Sequence, residues 1–322
     1  MIYLTVSIDV EPDCSPSWNY SNPLTFKGVS IGIKDCLQPL FNKYGIVPSY
    51  LINNIVLEDN KSVNILKNLE GEYELGTHLH PEFIEPEKLF FDYAGKKGEA
   101  NCCFYKPDIE FEKIKNITEL FENKFGYKPT SFRAGRFSAG KNTIASLIKL
   151  GYKVDTSVTP HICWNDKTRV KPVDYTNAFD HPYFIKENSF LEKDTNGLIL
   201  EVPVTICPIS NKIVREYFFS LGGLRRKINK NNYVWLRPAF SSYSEIIKII
   251  NYFYLNDNKS ENIILNMMFH NVEVMPGLSP YTKNDNDCNR YLNILEVFFL
   301  YCNNNLIQSI NISKLYDIYK NK

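Results

Sequence analysis

Ile2-Tyr3-Leu4-Thr5-Val6-Ser7-Ile8-Asp9-Val10-Glu11-Pro12-Asp13 opens the chain. Residues 2–9 alternate as a strand does, and Asp9 and Glu11, interleaved with Ile8 and Val10, face one side of it. They are either a solvated strand end or a buried pair. A carboxylate that directly continues an apolar parallel strand is costly unless something pairs with it. Outward from this strand, helical and extended patterns alternate. Ile33, Leu37, Leu40 and Phe41 give residues 31–44 a helical spacing closed by Gly45. A strand at 46–52, a helix near 61–70 and a strand at 73–78 follow. A helix at 109–125 ends at Gly126, and a strand spans 130–134. A helix at 141–150 ends at Gly151, leading to a strand at 152–155. Further strands are expected at 197–204, 233–236 and 262–269, with helices at 211–220, 243–254 and 288–302 and a closing strand–helix pair. Residues 82–107 read as a polar insertion and 160–195 as a long loop. Repeated strand–helix units imply a parallel sheet, and this many imply a closed or nearly closed β/α barrel formed by residues 1–322 as one domain. An open doubly wound sheet is the alternative, but no glycine-rich phosphate loop follows the first strand.

Composition narrows the function classes. Of 322 residues, 44% are hydrophobic and 14% aromatic, enough for a substantial core. Lys and Arg (37) nearly balance Asp and Glu (36), a net +1, which argues against nucleic-acid or membrane-surface binding by bulk charge. The first residues lack the pattern of a signal peptide, and no apolar run is long enough to span a membrane. The eight cysteines form no C-x-x-C pair and read as reduced thiols. A cytoplasmic location is expected.

Polar residues recur where strands end. The chain has five histidines, two of them in Gly76-Thr77-His78-Leu79-His80-Pro81. At i, i+2 on a strand both imidazoles point to one side, as a divalent ion requires; capping a turn before Pro81 is the plainer role. Asp9 with Glu11, His78 with His80, Arg133, Asp155 and His270 stand at the ends of five expected strands, and a β/α barrel brings those ends to one face. Two histidines and a carboxylate make an open divalent site, with a second carboxylate as base and a remote histidine as acid. His161 and His181 fall in the long loop and read as structural or surface residues.

At these segments the chain resembles the polysaccharide deacetylase family, over nearly its whole length and in the family's motif order. The resemblance implies a deformed (β/α) barrel of about seven strands and a metal-dependent hydrolase removing an acyl group, N-acetyl above all, from a sugar or saccharide precursor. It implies Asp9 as catalytic base and Glu11, His78 and His80 as ligands of one divalent ion, Zn²⁺ foremost, with Glu82 as the alternative third ligand because the family's second motif is longer. Ser131-Phe132-Arg133-Ala134-Gly135-Arg136 resembles the arginine motif: Arg133 would steady the base, and Arg136 would meet an anionic substrate group or lie at the surface. Asp155 would orient His270, the acid of Met268-Phe269-His270-Asn271. Trp164 is expected as a sugar platform or packing residue, and Arg237 as a substrate contact. A C–N hydrolase acting on a non-sugar amide and a non-catalytic glycan-binding relative are the other readings.

Overall fold

The computed structural model describes residues 1–89, 99–164, 173–208, 233–256 and 262–321. The opening segment forms β1 (Ile2–Val10), followed by β2 (Pro48–Asn53), β3 (Glu74–Leu79), β4 (Ser131–Ala134) and β5 (Val154–Asp155). Then come β6 (Cys163–Trp164), β7 (Val173–Asp174), β8 (Tyr183–Lys186), β9 (Ser189–Lys193) and β10 (Leu200–Glu201). Last are β11 (Ile206–Pro208), β12 (Tyr233–Trp235), β13 (Ile263–His270) and β14 (Gln308–Ser309). The main sheet has ten strands in the order β13-β1-β2-β3-β4-β5-β10-β8-β9, with β14 also paired to β1. From β13 to β10 every pairing is parallel. The sheet curls until Thr205 donates its backbone N–H to the carbonyl of Asn266 on β13 (3.1 Å). This is the deformed α/β barrel that the strand–helix alternation predicts.

Helices between the strands cover the outer face. Leu4, Val6, Ile8 and Val10 of β1 pack there among buried apolar side chains, with Phe121, Leu147, Leu295 and Phe299 from the helices Pro107–Phe125, Lys141–Leu150 and Asp285–Asn304. Gly45, Gly126 and Gly151 close their helices in the left-handed region, as expected. Gly76 serves closeness instead: a Cβ there would lie 2.1 Å from Ser131 Oγ on the neighbouring strand.

The other face of β1 carries Thr5, Ser7 and Asp9, all buried. Inside the barrel, Ser7 donates to Asn266 Oδ1 (2.9 Å), and Asn266 Nδ2 donates to Thr156 Oγ1 (2.9 Å). The interior is therefore a hydrogen-bonded polar plug, and the strand parity that buries Leu4 and Ile8 outside forces the acids inside.

One expectation needs correction. Residues 160–195 are not a plain loop: β6 pairs with β7, and the hairpin β8–β9 extends the main sheet antiparallel to β10. Tyr183 and Ile185 are buried while their neighbours are less so, a two-residue period that pays its backbone hydrogen bonds to the sheet edge. The expected helix at 211–220 lies outside the described residues, as does much of the 82–107 insertion. Among the described residues no helix is long and apolar enough to cross a membrane.

Candidate active site

Strand register brings the candidate residues together. Asp9 of β1 lies opposite His270 of β13, and His78 of β3 lies opposite Arg133 of β4. Glu11 continues the face of Asp9 beyond the strand. Its backbone is held by Asn271, which accepts from Glu11 N–H (2.9 Å) and donates to Glu11 C=O (3.1 Å). The loop after His80 is anchored from below by Lys113, whose buried ammonium donates to the carbonyls of Pro81 and Ile84 (both 2.8 Å) and Pro86.

Glu11 Oε1 is 3.1 Å from His78 Nε2 and 2.9 Å from His80 Nε2, and the two ring nitrogens are 3.2 Å apart. His78 Nδ1 faces the carbonyl of Arg133 (3.2 Å), which can only accept, so the proton belongs on Nδ1 and a lone pair on Nε2. That lone pair points at the Glu11 carboxylate. Two acceptors turned on each other in a buried site call for a cation between them, and a carboxylate with two imidazoles suits zinc or another divalent ion. The residues present fit a metal. His80 Nδ1 is buried beside Glu82 Oε1 (3.6 Å), so Glu82 backs the His80 ring, whose Nε2 faces the centre. Burial works against charging His80, but Glu11 and Glu82 outweigh it and bring its pKa up to about 9, so without a metal the positive charge the cluster calls for is a proton on His80, which a bound ion would replace. Burial likewise pushes the Glu11 carboxyl up, and His80 and His78 more than offset this, leaving it well below the carboxylate range.

Asp9 stands next to this cluster, with Oδ2 3.7 Å from His78 Nε2 and 3.8 Å from His270 Nε2. Arg133, fully buried, donates from Nη1 to Asp9 Oδ1 (2.6 Å), from Nη2 to Ser7 Oγ (2.6 Å) and from Nε to Thr156 C=O (2.8 Å). Desolvation raises the Asp9 pKa, but Arg133, then His78 and His270, lower it below the ordinary value. Asp9 is ionised at neutral pH.

His270 is oriented by Glu273, not by the expected Asp155. Its Nδ1 donates to Glu273 Oε1 (2.9 Å), and Glu273 also accepts from Arg237 and from Tyr291 Oη (3.0 Å). Asp155 lies on β5, beyond β1, β2, β3 and β4 from β13. There it accepts from Ser157 N–H (3.0 Å) and Ser157 Oγ (2.8 Å), beside Glu201 in register. Burial raises both acids' pKa values. The His270–Glu273 contact was missed because the partner lies three residues on, in the same segment. A carboxylate at i+3 after a strand-end histidine, entering a helical turn, was the available signal.

Arg237 turns inward onto Glu273 with its guanidinium 3.1 Å from His270 Nδ1, so it supports the histidine rather than reaching outward. Arg136 has an internal partner, Glu82 Oε1 (2.7 Å), and donates to Ala100 C=O (3.0 Å). Trp164 is 38% exposed, stacks on Phe137 (centroids 5.7 Å apart) and donates from its indole to Thr159 (2.9 Å). His161 stacks on Tyr233, and His181 is exposed beside Asp180 and Lys193, away from the centre.

No protein-family model matches the chain, and no curated protein matches it in sequence. Solved structures do match in fold. A putative glycoside hydrolase/deacetylase from Parabacteroides distasonis aligns over 99% of this chain and 71% of its own, with TM-score 0.62 and 8% identity. A probable polysaccharide deacetylase from Pseudomonas aeruginosa PAO1 aligns over 100% and 91%, with TM-score 0.56 and 10% identity. Puue allantoinase aligns over the same shares with TM-score 0.55 and 12% identity. At these identities the likeness is one of fold: this chain has the barrel on which deacetylases and an allantoinase are built.

Proposed function

We propose that the protein is a metal-dependent amide hydrolase that removes an acyl group, N-acetyl foremost, from a sugar or saccharide precursor. The observation that carries this reading is the convergence of Glu11, His78 and His80 beside an ionised Asp9 and a carboxylate-backed His270. Glu11 Oε1, His78 Nε2 and His80 Nε2 would hold the ion. A divalent ion held there supplies Lewis acidity, polarising an amide carbonyl and acidifying a water. Asp9 Oδ2 takes the attacking water's proton, while Arg133 keeps its other oxygen fixed. His270 Nε2 releases a proton to the departing amine nitrogen, and Glu273 stabilises the imidazolium before it does so. Trp164, partly exposed, is a candidate platform for a sugar face. The fold likeness to deacetylases supports the reaction class, and all eight cysteines being free suits the cytoplasm. A saccharide precursor for surface polysaccharide is the substrate class that suits that compartment.

The test is metal analysis of the purified protein, paired with a screen of acetylated sugar nucleotides and oligosaccharides for released acetate. One equivalent of divalent metal is expected, lost together with acetate release in His78→Ala. Absence of stoichiometric metal, with His78→Ala indistinguishable from the parent, would sink the proposal. Glu273→Gln tests the acid's orientation: turnover should fall by about 10²-fold or more with metal content unchanged, because a neutral amide no longer stabilises the imidazolium. Unaltered kcat in that variant would remove Glu273 from its assigned role.

A further inference from the structure

We infer that Tyr20 is a positioning residue that holds Glu11 to one-oxygen ligation of the metal, an inference that rests on the metal site proposed above. Glu11 Oε1 alone faces both histidine nitrogens, while Oε2 accepts a hydrogen bond from the Tyr20 hydroxyl (3.1 Å). Each carboxylate oxygen thus has its own task. A phenol hydroxyl facing a carboxylate oxygen can only donate to it.

Tyr20 is delivered by a built loop. Cys14 and Tyr20 form an antiparallel bridge, Ser21 N–H donates to Asp13 C=O (2.8 Å), and Asp13 N–H donates to Thr25 C=O (2.9 Å). The Asp13 carboxylate then accepts from the backbone N–H groups of Lys27 and Gly28 (2.8 Å each), tying the loop to the next helix. The Tyr20 ring lies 5.5 Å from Phe83 and 6.3 Å from His80 between centroids, packed beside the ligand cluster. A hydroxyl occupying Oε2 prevents the carboxylate from swinging both oxygens toward the ion. One-oxygen ligation would leave coordination positions free for water and substrate, as a catalytic site needs and a structural one does not.

Tyr20→Phe keeps the ring against His80 and Phe83 and deletes only the donor. Co²⁺ titration of the metal-free protein reads both affinity and coordination, because d–d absorption weakens as coordination number rises. In Tyr20→Phe the affinity should fall by about 10–100-fold and the visible bands should dim as Glu11 becomes a two-oxygen ligand. A variant matching the parent in both affinity and spectrum overturns the role of Tyr20 and leaves the metal site standing. A parent protein that takes up no Co²⁺ overturns the metal site itself, and this inference with it.

Discussion

Asp9→Asn should abolish hydrolysis, lowering kcat by about 10²–10⁴-fold, while the protein keeps its full complement of metal. Asparagine has the shape of aspartate and still offers Oδ1 to Arg133, so Glu11, His78 and His80 should remain in place. What it lacks is the lone-pair charge on the second oxygen, which stands 3.7 Å from His78 Nε2 and 3.8 Å from His270 Nε2, where an attacking water would give up its proton. Single-turnover acetate release alongside metal stoichiometry separates the two roles. Loss of metal with retained hydrolysis would reverse the assignment of Asp9 and Glu11. A Glu11→Gln variant should show the opposite pattern, with metal affinity falling first.

The placement of these side chains was legible in the sequence because strand parity is a strict rule. Once Ile8 and Val10 are placed on the helix-covered face, Asp9 and Glu11 have to point inward, and the same period aligns His78 with His80. Which strands are neighbours, and the register that sets Asp9 opposite His270 and His78 opposite Arg133, came only from the structure. Glu273 and Tyr20 were hidden for another reason. Tyr20 acts from an irregular loop, where no period says which way a side chain turns, and Glu273 from a single 3₁₀ turn, Asn271–Val274, too short to show a period. Asp155 misled because it stands at a strand end like the residues that converge around Glu11, yet its strand lies in the far part of the sheet, where its partners are Ser157 and Glu201 rather than His270. The hairpin at β8–β9 was lost in a stretch whose turn residues, Glu187 and Asn188, carry none of the usual glycine punctuation.

Arg133→Met should destabilise the fold by about 3–5 kcal/mol, the cost of removing one partner from a buried ion pair. Arg133 is among the largest fully buried side chains, and its donors reach Asp9, Ser7 and Thr156 across the barrel interior. Methionine fills much of the volume but strands a carboxylate away from water. Denaturant unfolding measures the loss, and the double variant Asp9→Asn/Arg133→Met should recover part of it, since the uncompensated charge is then gone. A double variant as unstable as the sum of the singles would mean that packing, not charge, explains the cost. The pH dependence carries the sign of the pair. With Arg133 present, the Asp9 pKa lies below its unfolded value near 3.9, so its contribution is complete above that value and lost as pH falls through the folded pKa. Without Arg133 the largest lowering cause is gone and the Asp9 pKa should rise, so the variant should lose less stability than the parent as the pH falls through the acid range.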